Sequence, residues 1–172
     1  AVAVELPATD GAREAWWGNV SVGGGIVPSV SFSTRIEVRV SDLDPQLHVT
    51  GAAYHQYADH ARFACVQAAG VSVGELIAAG FGPVNLETTI KFHRELRGGD
   101  AVDVSCVWLW GTGKTYRVEH LLTRADGVHA ATVTHVSGLL DLAARKLVTD
   151  PAREWSARAH TPELLGLPNA VA

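Results

Sequence analysis

Methionine is absent from the whole chain, even at position 1, as expected of a chain whose initiator was removed or whose start was trimmed. Cysteine occurs only at Cys65 and Cys106, with neither CxxC nor zinc-ligand spacing. That excludes a disulfide framework and fits two buried structural thiols in a reducing compartment. No apolar run approaches the roughly 20 residues needed to cross a bilayer. The opening AVAVELPATDGAREAWWGN lacks a basic leader, and Glu5 and Asp10 interrupt any apolar core, so no signal peptide is expected. Excess positive charge is missing too: 14 Lys and Arg face 18 Asp and Glu, a formal net charge of -4, and the basic residues are scattered. This gives no electrostatic case for binding nucleic acid. Neither HExxH nor GxSxG occurs, and His55 and His60, five apart, do not share a helix face. The expectation is a soluble cytoplasmic protein with no metal, cofactor, nucleic-acid or membrane partner.

What remains is an ordinary globular composition, 47% apolar and 19% charged, in 172 residues. That is one domain with a real core and no need of a structural metal. There are no internal repeats. Residues 1–30 read as an extension broken by the Gly and Pro of Val22 to Ser29, with Trp16 and Trp17 apolar enough to pack on the domain or a neighbouring copy. The domain is expected over 31–150 and a C-terminal tail, with a closing helix from Pro151 to His160, over 151–172.

Inside the domain the periodicities change once. Phe32 to Val40 alternates as a half-buried strand. From Ala53 to Ala69, Tyr54, Tyr57, Ala58, Ala61, Cys65 and Ala68 recur at helical spacing, and Gly70 suits a stop. Ser72 and Glu75 have capping-box spacing for a second, short helix to Ala79. Then the pattern turns to β. Val84, Leu86, Thr88, Ile90 and Phe92 form one strand face. Val102 to Trp110, Lys114 to Arg124 and Val128 to Leu142 follow, divided by Gly98-Gly99-Asp100, Gly111 to Gly113 and the hairpin signal Asp126-Gly127. The fold class is α+β: a curved antiparallel sheet of about five strands wrapped around one long helix. The uncovered sheet edges call for a homodimer or homotetramer.

Chemistry concentrates in Ser41 to Gly70. Asp42 and Asp44 sit in a short polar loop leading into the long helix. A helix start offers unpaired N–H donors with partial positive charge, suited to a developing oxyanion. A carboxylate beside those donors can attack a carbonyl or activate water to do so. Read from residues alone, Asp44 before Pro45 is better taken as an Asx-turn residue. Asp42 reads as a structural partner, capping the loop or pairing with Arg39. Asp59 and Arg62 have the spacing of an ordinary surface pair, and His129 and His135 read as polar residues of the sheet.

Three segments resemble the hotdog-fold acyl-CoA thioesterases, in particular the 4-hydroxybenzoyl-CoA thioesterase family: VRVSDLDPQLHVTGAAYHQYADHAR (Val38 to Arg62), IKFHRELRGGDAVDV (Ile90 to Val104) and WGTGKTYRVEHLL (Trp110 to Leu122). The resemblance implies a hotdog fold, an acyl-CoA substrate, no cofactor, and hydrolysis of a thioester to free acid and CoA. It implies Asp44 as general base or nucleophile and a backbone N–H near Gly51 as oxyanion donor. Lys114, and more loosely Arg94, are implied contacts for the CoA phosphates. His48 follows Asp44 by four, as in one branch, as a base or a scaffold of the loop. Tyr54 is a pocket-lining candidate. The chain departs from the pattern at Leu47, where many relatives have Gly, and at Thr50-Gly51, where they have paired Asn or a His. Two rival readings stand beside hydrolysis. Asp42 to His48 is similar to the Asp-x-Asn-Pro-aliphatic-His of hotdog enoyl-CoA hydratases, with one residue too many; the other rival is a non-catalytic acyl-CoA-binding module.

Overall fold

The computed structural model describes residues 32–168. The extension, with Trp16, Trp17 and the Val22 to Ser29 segment, lies outside the described residues. The strands are β1 (Phe32–Glu37), β2 (Phe81–Phe92), β3 (Ala101–Trp110), β4 (Thr115–Arg124), β5 (His129–Asp141) and a two-residue β6 (Lys146–Leu147). The helices are α1 (Gly51–Ala68), α2 (Val73–Ala78) and α3 (Pro151–Ser156), with 3-10 turns at Val40–Asp42 and Pro162–Leu165. All pairings are antiparallel, in the order β1-β3-β4-β5-β2, with β6 beside β5. The sheet curves around α1 as the sequence pattern predicts, and β2 and β1 are left as its edges.

Each element follows from local chemistry. Thr50 caps α1, its Oγ1 accepting from the Ala53 N–H at 3.3 Å, and alanines along the buried face let the sheet approach closely. Gly70 ends the helix with φ +78°; a Cβ there would sit 2.7 Å from the His160 ring, so glycine is required twice over. Ser72 caps α2 through the Glu75 N–H, and Asp150 caps α3 through the Arg153 N–H. No described helix is long and apolar enough to cross a membrane.

The core divides into two groups. One joins the N-terminal half of α1 to the start of the sheet through Tyr54, Tyr57, Ala58, Leu96, Val104, Leu122 and Val133. The other gathers Val66, Leu76, Trp108, Tyr116, Val118, Leu139, Trp155 and Leu165 at the far end. The segment after residue 150 is thus built into the core: Trp155 is fully buried, and the Trp110 Nε1–H donates to the Leu165 carbonyl at 2.6 Å.

Two boundaries differ from the sequence pattern. β1 ends at Glu37 because Val40–Asp42 winds into a 3-10 turn, leaving Val40 exposed. In β2, strict alternation fails: the register with β5 shifts between Asn85 and Glu87. This bulge turns Asn85 and Thr88 towards β5 His135 and leaves Leu86 exposed.

Leu47 has φ +63° and is 67% exposed, which explains physically why glycine suits this position. A left-handed conformation costs an L-residue about 1–2 kcal/mol, only partly offset by the lower chain entropy glycine must give up. Leu47→Gly is expected to stabilise the fold by about 0.5–1 kcal/mol, read as a higher urea midpoint at unchanged slope.

Candidate functional site

The loop between β1 and α1 is held from below by Asp42. Its buried Oδ2 accepts from the Tyr57 hydroxyl at 2.6 Å and the Arg39 N–H at 3.0 Å, with Arg39 Nε at 3.5 Å. Burial alone pushes this carboxyl up, but the Tyr57 hydroxyl, the Arg39 N–H and the Arg39 guanidinium outweigh it and hold the group ionised below its usual range. Burial, then the same contact, drives the Tyr57 phenol far above its ordinary value. The Asp42 carbonyl accepts from Thr50 N–H at 2.9 Å, so the residue that caps α1 is tied to the residue that anchors the loop. Asp42 is a structural partner.

Above this anchor the loop closes on itself. The Asp44 N–H donates to the His48 carbonyl at 2.8 Å, and Leu43 pairs with Val49. Asp44 Oδ1 accepts from the N–H groups of Gln46 at 2.8 Å and His48 at 3.1 Å. That is the Asx-turn geometry. Asp44 Oδ2 has no partner among the described residues, so one oxygen fixes the carboxylate and the other is unpaired. Gly51 is the first residue of α1; its N–H and that of Ala52 donate to no acceptor among the described residues. Its open side faces the Phe92 ring, 3.7 Å from where a Cβ would stand.

A second segment completes the cluster. Val49 N–H donates to the Leu96 carbonyl at 2.9 Å and His48 pairs with Arg97 across an isolated bridge. This puts His48 Nε2 3.0 Å from Glu95 Oε2. Arg97 donates to the other Glu95 oxygen and is the main reason that carboxyl lies below its usual range. Glu95 was not singled out in the sequence, although it lies in the family-like segment RELRGGD next to the chosen Arg94. Arg94 is exposed, its Nη1 on the His93 carbonyl at 2.7 Å. Tyr54 is buried rather than pocket-lining at its polar end: its hydroxyl accepts from Leu96 N–H at 3.2 Å, and its ring meets Phe92 edge-on. Lys114 is exposed in the β3–β4 hairpin, at the opposite end of β3 from the Gly98-Gly99 turn. Ten residues of strand span about 30 Å, so Asp44, His48, Glu95, Gly51 and Arg94 gather at one end and Lys114 stands at the other.

A second polar cluster lies between the two core groups. Arg62 is not a surface residue: its side chain is 12% exposed and donates to Asp59 at 2.8 Å, to Asn85 and to Ser137. Asn85 Nδ2 and Thr88 Oγ1 lie 3.0 and 3.1 Å from His135 Nδ1. The His55 and His120 rings flank His135 at 5.3 and 5.2 Å. The carboxylate nearest His135, Asp59 at 4.0 Å, is supplied by the helix rather than by the sheet. The inward parity of His120 between Val118 and Leu122 was readable; the bulge that brings Asn85 in was not. Among the described residues no group of three or more His, Cys, Asp or Glu is arranged to hold a metal ion.

A sheet curved around one long helix, with a carboxylate loop at the helix start, defines a hotdog-fold protein of the thioesterase class. The model of the thioesterase-like superfamily matches residues 38–161, and the chain belongs to that family. Solved structures share the fold at low identity. The 1,4-dihydroxy-2-naphthoyl-CoA thioesterase Slr0204 of Synechocystis is 18% identical with a TM-score of 0.68, over 74% of this chain and 94% of that one. The hypothetical protein SAV2348 of Staphylococcus aureus, solved with CoA, is 19% identical with a TM-score of 0.66, over 87% and 100%. The 12:0-ACP thioesterase of Umbellularia californica is 19% identical with a TM-score of 0.68, over 82% of this chain and 52% of its own.

The two buried histidines make stability pH-dependent. Burial, then the neighbouring His135, lowers His120 to about 3; burial, then the Arg62 cation, lowers His135 to about 4, against Asp59, which raises it. The unfolded chain takes up these protons near pH 6.5. Their contribution is therefore complete above about pH 6.5 and is lost as pH falls towards 4, by up to about 1.4 kcal/mol per pH unit for each ring. Urea midpoints are expected to fall steeply between pH 6.5 and 4.5, and less steeply in His120→Leu.

Proposed function

We propose that the chain is an acyl-CoA thioesterase that hydrolyses a thioester to free acid and CoA. The observation that carries this reading is Asp44: one oxygen is pinned by two backbone N–H groups and the other is free, at the loop that leads into the unpaired N–H donors of α1. A thioester carbonyl is already activated, so a positioned carboxylate suffices. Asp44 takes a proton from water as the water oxygen bonds to the carbonyl carbon, or bonds to that carbon itself to give, once the thiolate leaves, a mixed anhydride that water hydrolyses to the free acid and Asp44. The carbonyl electron pair moves onto oxygen, where the Gly51 N–H and the helix dipole receive it; losing one such donor typically costs about 2.7–4 kcal/mol in barrier. Collapse breaks the C–S bond and releases the CoA thiolate. His48, joined to Asp44 through its backbone and with Nε2 3.0 Å from Glu95 Oε2, serves this reading as a scaffold of the loop or as a second base.

Membership of the thioesterase-like superfamily supports this reading, as do structures of the same fold, a 1,4-dihydroxy-2-naphthoyl-CoA thioesterase and a protein solved with CoA. Arg94, exposed at the Asp44 end of the sheet, suits a CoA phosphate, and Lys114, at the far end of β3, would meet CoA only on a second copy. The free edge of β2, 12 residues long with Leu86 and Phe92 exposed, favours pairing of two copies as a homodimer.

Asp44→Asn keeps the oxygen that accepts the two N–H bonds while removing the carboxylate, so it separates catalysis from the turn. With aromatic, short-chain and long-chain acyl-CoAs, thiol release by the wild type is expected, and a fall of about 10²–10⁴-fold in the variant. Absence of thiol release from every substrate, or release that the substitution leaves unchanged, would sink the assignment. Water addition to an enoyl-CoA would then mark a hydratase, and CoA-ester binding without turnover a binding module.

A further inference from the structure

Two further histidines take no part in the steps above, and the sheet brings them together. His93 follows the last residue of β2 and His129 opens β5, far apart in the chain and with no ligand spacing for a sequence pattern to detect. Strict alternation along β5 would put His129 and Thr132 on opposite faces, three residues being an odd step. A bulge prevents this: Leu122 faces Ala131 but Thr123 faces His129, so Ala130 is the extra residue. Ala130 and Ala131 are both buried in the core, whereas His129 and Thr132 are both partly exposed and in contact. β2 holds the other side of the bulge, the His93 and Arg94 N–H groups both donating to the Ala130 carbonyl, at 2.8 and 2.9 Å.

The two rings converge on one point. His129 Nε2 lies 3.0 Å and His93 Nε2 3.4 Å from the same oxygen, Thr132 Oγ1. The ring centroids are 4.7 Å apart and the planes are tilted by 36°. A hydroxyl has one proton, so it can donate to only one of these nitrogens, and 3.4 Å is at the weak end of hydrogen bonding. Thr132 therefore does not use both rings fully. A metal ion does. Nε2–ion bonds of about 2.0–2.1 Å, directed from rings at this separation, enclose an angle of about 95° at the ion. That suits square-planar or octahedral Cu2+ or Ni2+ better than tetrahedral Zn2+.

We propose that His93 and His129, with Thr132 between them, form a binding site for one divalent transition-metal ion, Cu2+ or Ni2+, where the end of β2 meets the start of β5. The inference is independent of the hydrolase reading. Imidazole nitrogen is a ligand these ions prefer, whereas Mg2+ and Ca2+ take oxygen. Water fills the remaining positions, because no third His, Cys, Asp or Glu joins the pair among the described residues. The cations nearest in sequence, Lys91 and Arg94, are exposed, and repulsion through water is weak beside metal–imidazole bonding. The ion ties the edge strand to its neighbour just past Phe92, the residue that reaches Gly51.

The test is isothermal titration of the full chain with CuCl2, NiCl2 and, as a control, MgCl2. One Cu2+ or Ni2+ per chain is expected, Cu2+ the tighter, with Mg2+ not taken up and the melting temperature rising with Ni2+ concentration. His93→Ala and His129→Ala are each expected to weaken binding at least about tenfold. His60→Ala, at an exposed position of α1, is expected to leave it unchanged. Melting curves without metal check that the variants fold. Where one does not, the electron paramagnetic resonance spectrum of Cu2+ on the wild type decides: two coupled imidazole nitrogens support the site, and one or none overturns it. No uptake of either ion, uptake that survives either alanine substitution in the pair, or Mg2+ bound as well as Ni2+ overturns the site. Equal weakening by His60→Ala marks adventitious surface binding only and overturns it as well.

Discussion

The arrangement of the site depends on one buried carboxylate. Asp42 draws the Tyr57 hydroxyl, the Arg39 N–H and the Arg39 guanidinium onto one group, and its carbonyl holds the Thr50 N–H. Tyr57 belongs to α1, Arg39 to the chain leaving β1, and Thr50 is the helix cap. A charge removed from water must be paired and hydrogen-bonded, so the conformation satisfying Asp42 is also the one that fixes where α1 begins. The candidate residues of the loop follow within nine residues: Asp44 two along, His48 six along, Gly51 at the first turn. Tyr57→Phe would leave this charge short of its shortest bond, at a cost on the order of 1.5–3 kcal/mol.

The second support comes from far along the chain. Tyr54 Oη holds the Leu96 N–H and the Leu96 carbonyl holds the Val49 N–H, so the segment carrying Glu95 is fastened both to α1 and to the Asp loop. The two tyrosines, three apart on α1, therefore act in parallel: Tyr57 anchors the Asp42 side and Tyr54 the Glu95 side. This explains why Tyr54 is better understood as support for the cluster than as its lining. It also makes the His48–Glu95 pair a consequence of backbone pairing rather than of two flexible side chains meeting at the surface.

What could be read from the sequence divides along the same line between local and long-range forces. The cap at Thr50-Gly51, the Ser72 and Asp150 caps, and the inward face of β3 from Val102 to Trp108 are local patterns, and the fold follows from them. The Asp loop was legible because its motif and its geometry occupy one short segment. Glu95 was not, because its partner His48 is brought to it by the Val49–Leu96 pairing, which leaves no periodicity. Arg62 looked like a surface partner of Asp59, since i,i+3 spacing is silent on which way a pair faces. Only the bulge between Asn85 and Glu87, which breaks the alternation of β2, presents an amide for Arg62 to bind from within.

That inward pair raises the question of how the fold carries a polar layer through its core. Each buried nitrogen without a partner costs about 1–3 kcal/mol, and His55, His120 and His135 each carry one, a sum comparable to the net stability of an ordinary domain. The cost is tolerable because the layer is bracketed. Towards the loop, Tyr54, Leu96, Leu122 and Val133 exclude water; towards the C-terminus, Trp108, Tyr116, Trp155 and Leu165 do the same. The C-terminal segment matters here beyond its size, because Trp155 and Leu165 complete the far cluster and free the near one from having to stabilise the fold alone. A chain selected only for stability would put Leu at His120 and His135. Keeping imidazoles there, oriented by Ser105 and Asn85, sacrifices stability for a polar layer beneath α1.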